Sequence, residues 1–460
     1  MIDIKNLSYS YPLSKKRALS DINLTVNEGD LVLITGSSGS GKSTLFYCLN
    51  GLIPHIFSGS LSGDIKVAGI EPKTISISEM ARKAGTVFQN PEYQIFMPTV
   101  REDIEFGCRN IGLGEEIIVL NLNRASLDMG LNRLLDRETG ELSAGEKQRL
   151  AIAGIYAVGP RILLFDEPST NLDAHGKRSF RGIIKKLKDS SYTIVLIEHD
   201  TDLFEDIVTC KYVMEEGELK KISSIEHGSY RNKITYEHPY DDTIAIEARD
   251  ISYGYDSKTR LFDSLSIDIK KREVVAFVGD NGSGKTTFFK LVMGIISPQK
   301  GYVRAGGRLI RSINDSAGMI GLLFQNPDEQ LFASTVKEEI LLGPQQLNKK
   351  CDYEEIMARF ALKRYENSHP HTLSKGERQK VVFASIAATR PEIIILDEPT
   401  TGLDEKSWSS LMDYTCSLVK DGVTILFSTH NMKVADRYAK RIITLDKGKV
   451  IRMKPNSNSA

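Results

Sequence analysis

Several things that would define a disulfide-stapled, thiolate-ligated or membrane-embedded protein are missing from this chain. Its five cysteines, Cys48, Cys108, Cys210, Cys351 and Cys416, are scattered over 460 residues without a Cys-x-x-Cys. That spacing argues against zinc and iron–sulfur sites and against a secreted disulfide framework, and it fits a reducing cytoplasm. Long apolar runs are absent as well. The longest charge-free stretch, Ser43 to Gly63, is interrupted by Pro54, His55 and several Gly and Ser, so no membrane span is expected. Asp3 and Lys5 stand where a secretory signal needs apolar residues. Net charge is lacking too: 60 Lys plus Arg oppose 60 Asp plus Glu, which gives no global electrostatic reason to expect a nucleic-acid partner.

What is present is a globular composition, 41% apolar and 26% charged, on a chain too long for one ordinary domain of up to about 250 residues. Two halves carry the same words in the same order. Ser8-Tyr-Ser-Tyr11 matches Ser252-Tyr-Gly-Tyr255, and Phe88-Gln-Asn-Pro91 matches Phe324-Gln-Asn-Pro327. Leu142-Ser-Ala-Gly-Glu146 pairs with Leu373-Ser-Lys-Gly-Glu377, Phe165-Asp-Glu-Pro168 with Leu396-Asp-Glu-Pro399, and His199 with His430. The second copy is shorter by a few residues in two internal connections, where deletion is tolerated best. Two homologous domains, 1–228 and 243–460, are expected around a polar linker, 229–242.

Each half places a β-branched run directly before a glycine-rich turn. The turns are Gly36, Ser37, Ser38, Gly39, Ser40, Gly41, Lys42, Ser43, Thr44 and Gly279, Asp280, Asn281, Gly282, Ser283, Gly284, Lys285, Thr286, Thr287. Between a buried strand and a helix this pattern cradles phosphate, because glycines allow the tight turn and aim amide N–H groups inward. Lys42 and Lys285 are spaced to reach β- and γ-phosphates, and Ser43 and Thr286 offer hydroxyls to Mg²⁺. Short apolar runs then end in Asp166-Glu167 and Asp397-Glu398, as buried parallel strands deliver carboxylates at their carboxyl edge. The aspartates fit the metal side, often through water, and the glutamates can accept the proton of an attacking water. His199 and His430, each just past a β-run, are candidates to hold the γ-phosphate and that water. The fold class expected is α/β, with two tandem P-loop nucleotide-hydrolase domains.

With these residues in register, the chain resembles the nucleotide-binding domains of ABC transporters over nearly all of both halves. Leu142-Ser-Ala-Gly-Glu-Lys-Gln148 and Leu373-Ser-Lys-Gly-Glu-Arg-Gln379 are similar to that family's signature, departing from Leu-Ser-Gly-Gly at Ala144 and Lys375. The resemblance implies, in each domain, a mostly parallel core sheet, an antiparallel β subdomain and a helical signature subdomain. It also implies an intramolecular pseudo-dimer, head to tail, with ATP and Mg²⁺ between one half's phosphate loop and the other's signature. Site one would pair Lys42, Gln89, Asp166, Glu167 and His199 with Ser374 and Gly376. Site two would pair Lys285, Gln325, Asp397, Glu398 and His430 with Ser143 and Gly145. Gln89 and Gln325 would sense Mg²⁺ and the γ-phosphate. Tyr11 and Tyr255 resemble the adenine-stacking aromatic, with Tyr9 and Tyr253 as neighbouring candidates.

The segments Phe88-Gln-Asn-Pro-Glu-Tyr-Gln-Ile-Phe96 and Phe324-Gln-Asn-Pro-Asp-Glu-Gln-Leu-Phe332 resemble the ATPases of energy-coupling factor transporters. That subfamily implies a peripheral protein on the cytoplasmic face of the membrane. Its partners would be a membrane scaffold (T-type) component and a substrate-binding (S-type) component, and its cargo a vitamin or transition-metal ion. Gln94, Phe96, Gln330 and Phe332 are expected to form grooves for the scaffold's coupling helices. Two alternatives stay open: a soluble tandem ATPase acting on ribosomes or nucleic acid, and the ATPase of a sugar-type importer.

Overall fold

The computed structural model describes residues 1–455 apart from 13, 15, 38, 171, 200, 224–240, 256–259, 402 and 404. The chain divides into two compact units, Met1–Glu226 and His227–Ala460. Of the expected linker, residues 229–240 lie outside the described residues, and Asp241 and Asp242 already belong to the strand Asp241–Tyr253.

The first unit is built on a six-stranded sheet in the order Ala84–Val87, Ile162–Asp166, Thr193–Ile197, Leu31–Thr35, Cys210–Glu215, Glu218–Ile222. The first five strands run parallel, and the last returns antiparallel. The second unit repeats the arrangement with Ile320–Leu323, Ile393–Leu396, Thr424–Thr429, Val274–Val278, Arg441–Asp446 and Lys449–Pro455. Strands such as Ile162–Asp166, Thr193–Ile197 and Val274–Val278 are buried at every residue. Cover on both faces is why they read as continuous apolar runs instead of alternating. Parallel pairing sets Leu33 beside Leu196, Ile34 beside Ile197, and Asp166 beside Ile197. The loops after three neighbouring strands therefore leave from one edge of the sheet, where sites form in open α/β sheets.

A separate antiparallel sheet, Leu19–Val26, Ile2–Ser10 and Ser60–Val67, accompanies the first unit. It shows the alternation its two-sided environment demands: Leu19, Ile22, Leu24 and Val26 are buried. The second unit's counterpart has four strands, Phe262–Lys271, Asp241–Tyr253, Lys300–Ala305 and Arg308–Ile310. Helices Val100–Asn110, Glu115–Asp128 and Ala144–Val158 form the helical part of the first unit, packed through Ile104, Ile118, Leu122, Leu150 and Ala153. Their counterparts are Val336–Gln346, Tyr353–Arg359 and Lys375–Ala388. Part of the shortening of the second copy falls here, where Tyr353–Arg359 has 7 residues and Glu115–Asp128 has 14. Among the described residues no helix is long and apolar enough to cross a membrane.

Candidate functional site

In each unit the central strand runs into the glycine loop and the next helix starts at the lysine, Lys42–Leu49 or Lys285–Met293. The residue before that helix, Gly41 or Gly284, has φ of 112° or 107°, a left-handed turn that side chains resist. Space enforces the same choice, since a Cβ on Gly41 would sit 2.5 Å from the Ala18 carbonyl oxygen. Lys42 Nζ donates to Gly36 O at 2.8 Å and Ser37 O at 3.0 Å; Lys285 Nζ donates to Gly279 O at 2.6 Å and Asp280 O at 3.1 Å. Each ammonium is thus folded into its own loop. Ser40 Oγ and Ser283 Oγ are buried with no hydrogen-bond partner among the described residues. Leaving such a hydroxyl unpaired costs about 1–3 kcal/mol, so both loops are shaped for a polar ligand, and an oxyanion fits. Ser38 lies outside the described residues.

The hydroxyls after the lysines lie against the strand-end carboxylates. Thr286 Oγ1 donates to Asp397 Oδ2 at 2.7 Å, and Ser43 makes the equivalent bond to Asp166. Burial above all, then the neighbouring Glu167, pushes Asp166 up to about 6, against the pull of Ser43, Lys42 and His199. Asp397 is raised for the same first reason, opposed by bonds from Ser428 and Thr286. A hydroxyl and a carboxylate beside a phosphate cradle are hard oxygen donors, the set that suits Mg²⁺ completed by water and phosphate.

Glu167 and Glu398 adopt φ of 47° and 48°, left-handed backbone for a residue with a side chain. That conformation costs on the order of 1–3 kcal/mol and survives where surroundings impose it, which is typical of functional positions. Here it is held by Glu167 N donating to Ile197 O at 3.0 Å and Glu398 N donating to Ser428 Oγ at 2.7 Å. The turn sends each carboxylate back over the loop, 3.8 Å from Lys42 Nζ and 3.9 Å from Lys285 Nζ. His199 Nε2 lies 2.8 Å from Glu167 Oε1, and His430 Nδ1 lies 3.1 Å from Glu398 Oε2. Each half therefore gathers lysine, two acids and histidine around one loop. The glutamines differ: Gln89 Nε2 donates to Glu167 Oε2 at 3.0 Å, whereas Gln325 is exposed and makes no such bond among the described residues.

Of the tyrosines, Tyr11 and Tyr255 reach the helix after the loop, their hydroxyls 3.1 Å from Thr44 Oγ1 and 3.0 Å from Thr287 Oγ1. Tyr255 is 65% exposed, whereas Tyr9 is core, donating to Ser58 O at 2.7 Å. Ser143 and Ser374 are N-caps closing capping boxes with Glu146 and Glu377, so Gly145 and Gly376 lie in the first helical turns, where amides point outward. No hydrogen bond among the described residues joins them to the phosphate loop of their own half.

The aromatic segments depart from expectation in one respect. The amides of Gln94 and Gln330, expected to face a partner, are engaged by their own loops. Gln94 Oε1 accepts from Phe88 N at 2.7 Å and its Nε2 donates to Thr86 O at 2.9 Å; Gln330 repeats this with Phe324 N at 2.7 Å and Leu322 O at 2.8 Å. A loop leaving a sheet edge has unpaired backbone groups, and a primary amide can satisfy a donor and an acceptor at once. Two buried acids finish the clamp: Asp103 accepts from Phe96 N and Met97 N, and Glu339 from Phe332 N and Ala333 N. The rings of Phe96 and Phe332 are left 65% and 78% exposed, so they are not core. Sequence reasoning passed over the acids, although Thr99-Val-Arg-Glu-Asp103 and Thr335-Val-Lys-Glu-Glu339 are a further repeat. It also missed Glu198, fully buried, which accepts from Ser169 N at 2.9 Å, and Ser428.

A phosphate cradle, a hydroxyl–carboxylate metal pair and a strained glutamate beside a histidine define a P-loop nucleotide hydrolase, present twice. The match to the ABC transporter family covers residues 19–170 and 262–401, and the chain belongs to that family: it is a tandem ABC ATPase that uses ATP with Mg²⁺. It is 36% identical to a protein described as an ABC transporter ATP-binding protein of Caldanaerobacter subterraneus, over 98% of this chain and 90% of that one. A relative of the same description in Methanosarcina acetivorans is 33% identical over 98% of this chain and 85% of its own length. Among solved structures, an archaeal ribosome recycling factor in complex with the ribosomal stalk protein aP1 shares the fold, with a TM-score of 0.66 at 20% identity. That likeness covers 97% of this chain and 89% of the other.

Proposed function

We propose that this chain is the ATP-hydrolysing subunit of an energy-coupling-factor type importer, stationed at the cytoplasmic face of the membrane. It would power uptake of a vitamin or transition-metal ion through a T-type scaffold and an S-type substrate-binding component. The observation that carries this reading is the matched pair of exposed rings, Phe96 and Phe332, each clamped by a glutamine and a buried acid. Rigidly presented aromatics on a water-facing surface are characteristic anchors for a partner. Two such anchors in one chain suit a scaffold that offers two coupling helices. The transporter description of the Caldanaerobacter relative supports the same direction.

In this reading each ATP would be held by one half's loop and completed by a signature helix, the arrangement that the family resemblance implies. Lys42 and Lys285 leave their loop carbonyls for the β- and γ-phosphates. Tyr11 and Tyr255 stack on adenine. Ser43 with Asp166, and Thr286 with Asp397, would hold Mg²⁺, which would offset phosphate charge. Glu167 and Glu398 take the proton of the attacking water, which His199 and His430 orient. Ser374 with Gly376, and Ser143 with Gly145, add a hydroxyl and helix N-terminal amides to the γ-phosphate. ATP binding and hydrolysis would work the scaffold through the two aromatic anchors.

Co-purification decides the matter. The full chain, expressed with membrane proteins encoded beside it, is expected to be retained by a detergent-solubilised partner, and Phe96→Ala with Phe332→Ala to abolish retention. Sedimentation with ribosomes and no membrane partner would replace this reading with a ribosomal one, which the fold of the recycling factor also accommodates.

A further inference from the structure

The strands that end at the two histidines differ at one buried position. Two residues before His199 stands Ile197; two before His430 stands Ser428, and both are fully buried. Ser428 Oγ donates to Asp397 Oδ1 at 2.6 Å and accepts from Glu398 N at 2.7 Å. Thr286 Oγ1 holds the other oxygen of Asp397 at 2.7 Å. The first half lacks this hydroxyl. There Glu167 N donates to the Ile197 carbonyl at 3.0 Å, and the strand end is tied to the acidic loop by Glu198, which accepts from Ser169 N at 2.9 Å.

We propose that Ser428 is a positioning residue of the second ATP site, fixing the metal-side carboxylate of Asp397 and the strained backbone of Glu398 with one hydroxyl. It rests on the assignment of Asp397 to Mg²⁺ and Glu398 to the attacking water. A serine hydroxyl has one proton and two lone pairs, so it can donate to the carboxylate and accept from the amide together. A bond to an ionised group is among the stronger ones in a protein interior. Between Thr286 and Ser428, both Asp397 oxygens are oriented before any metal arrives, and the left-handed turn at Glu398 is locked to the same atom. Ile197 can offer its carbonyl to the amide but nothing to Asp166. The two sites of one chain are therefore unequal, and the second holds its metal more tightly.

The test is Mn²⁺ binding to the full chain with a non-hydrolysable ATP analogue, read by electron paramagnetic resonance, beside thermal unfolding. Ser428→Ala and Ser428→Val are expected to weaken one of two Mn²⁺ equivalents about tenfold, while the hydroxyl-bearing Ser428→Thr restores it. In a Glu167→Gln background, where the second site does the turnover, the Mg²⁺ needed for half-maximal rate should rise by a similar factor. Unchanged Mn²⁺ affinity in Ser428→Ala overturns the proposal, and a lowered unfolding temperature with that affinity intact makes the residue merely structural. If Asp397→Asn also leaves Mn²⁺ binding unchanged, the metal assignment itself is wrong and the proposal falls with it.

Discussion

Glu198 offers a perturbation whose size can be worked out from its surroundings. The carboxyl is fully buried beside the Glu167 turn, and burial pushes it from an ordinary 4.5 up to about 7, despite the bonds from Ser169. Below pH 4.5 the group is neutral whether the chain is folded or unfolded, and it contributes no penalty. Between pH 4.5 and about 7 the unfolded chain loses the proton while the folded one keeps it, so stability falls as pH rises. Above about 7 both forms are ionised and the whole penalty is present. At about 1.4 kcal/mol for each pH interval of one, it amounts to about 3 kcal/mol. Glu198→Gln keeps an acceptor for Ser169 N and removes the charge. In nucleotide-free, metal-free buffer the variant should exceed the parent in stability by up to about 3 kcal/mol at pH 8. At pH 5 the gain should shrink to under about 1 kcal/mol. Native-state hydrogen exchange of the amides in Thr193–Ile197, the strand leading into Glu198, measures this in the relevant unit. A gain independent of pH, or larger at pH 5, would refute the reasoning.

Glu167→Gln together with Glu398→Gln should cut ATP turnover by roughly 10²–10⁴, the usual worth of a positioned base, with nucleotide binding retained in a filter or fluorescence assay. Gln94→Ala strips two backbone groups of their partner and should lower unfolding stability by about 1–3 kcal/mol in urea titration. Because it also frees the loop carrying Phe96, scaffold retention should drop with it. Tyr11→Phe loses only the contact with Thr44 and should leave ATP affinity within about threefold, whereas Tyr11→Ala should weaken it tenfold or more if the ring stacks on adenine, since stacking on a base is worth about 1–3 kcal/mol.

The repeat, the two phosphate loops and the Asp-Glu strand ends were legible because local chemistry dictates them. Gly41 is fixed by a left-handed turn under the Ala18 carbonyl, and Asp166 and Asp397 by the edge of a buried strand. The same local reading could not orient Gln94 and Gln330, whose type and spacing mark a loop but not which way the amide turns. That direction is set by unpaired backbone on strands Ala84–Val87 and Ile320–Leu323. Tyr11 was preferred over its neighbour Tyr9 only by resemblance, and it is packing that puts Tyr9 in the core and Tyr11 at the phosphate helix.

By itself, then, the sequence determined the family, the doubling and the chemical types at each ATP site, since glycine turns, carboxylate strand ends and capping boxes need only near neighbours. Tertiary structure decided how those groups are held. The left-handed glutamates, the inward glutamine clamps that leave Phe96 and Phe332 in water, and the Ser428 bridge all depend on strands distant in sequence being paired in one register. A hydrogen bond between residues 397 and 428 leaves no trace in either segment until the sheet aligns them.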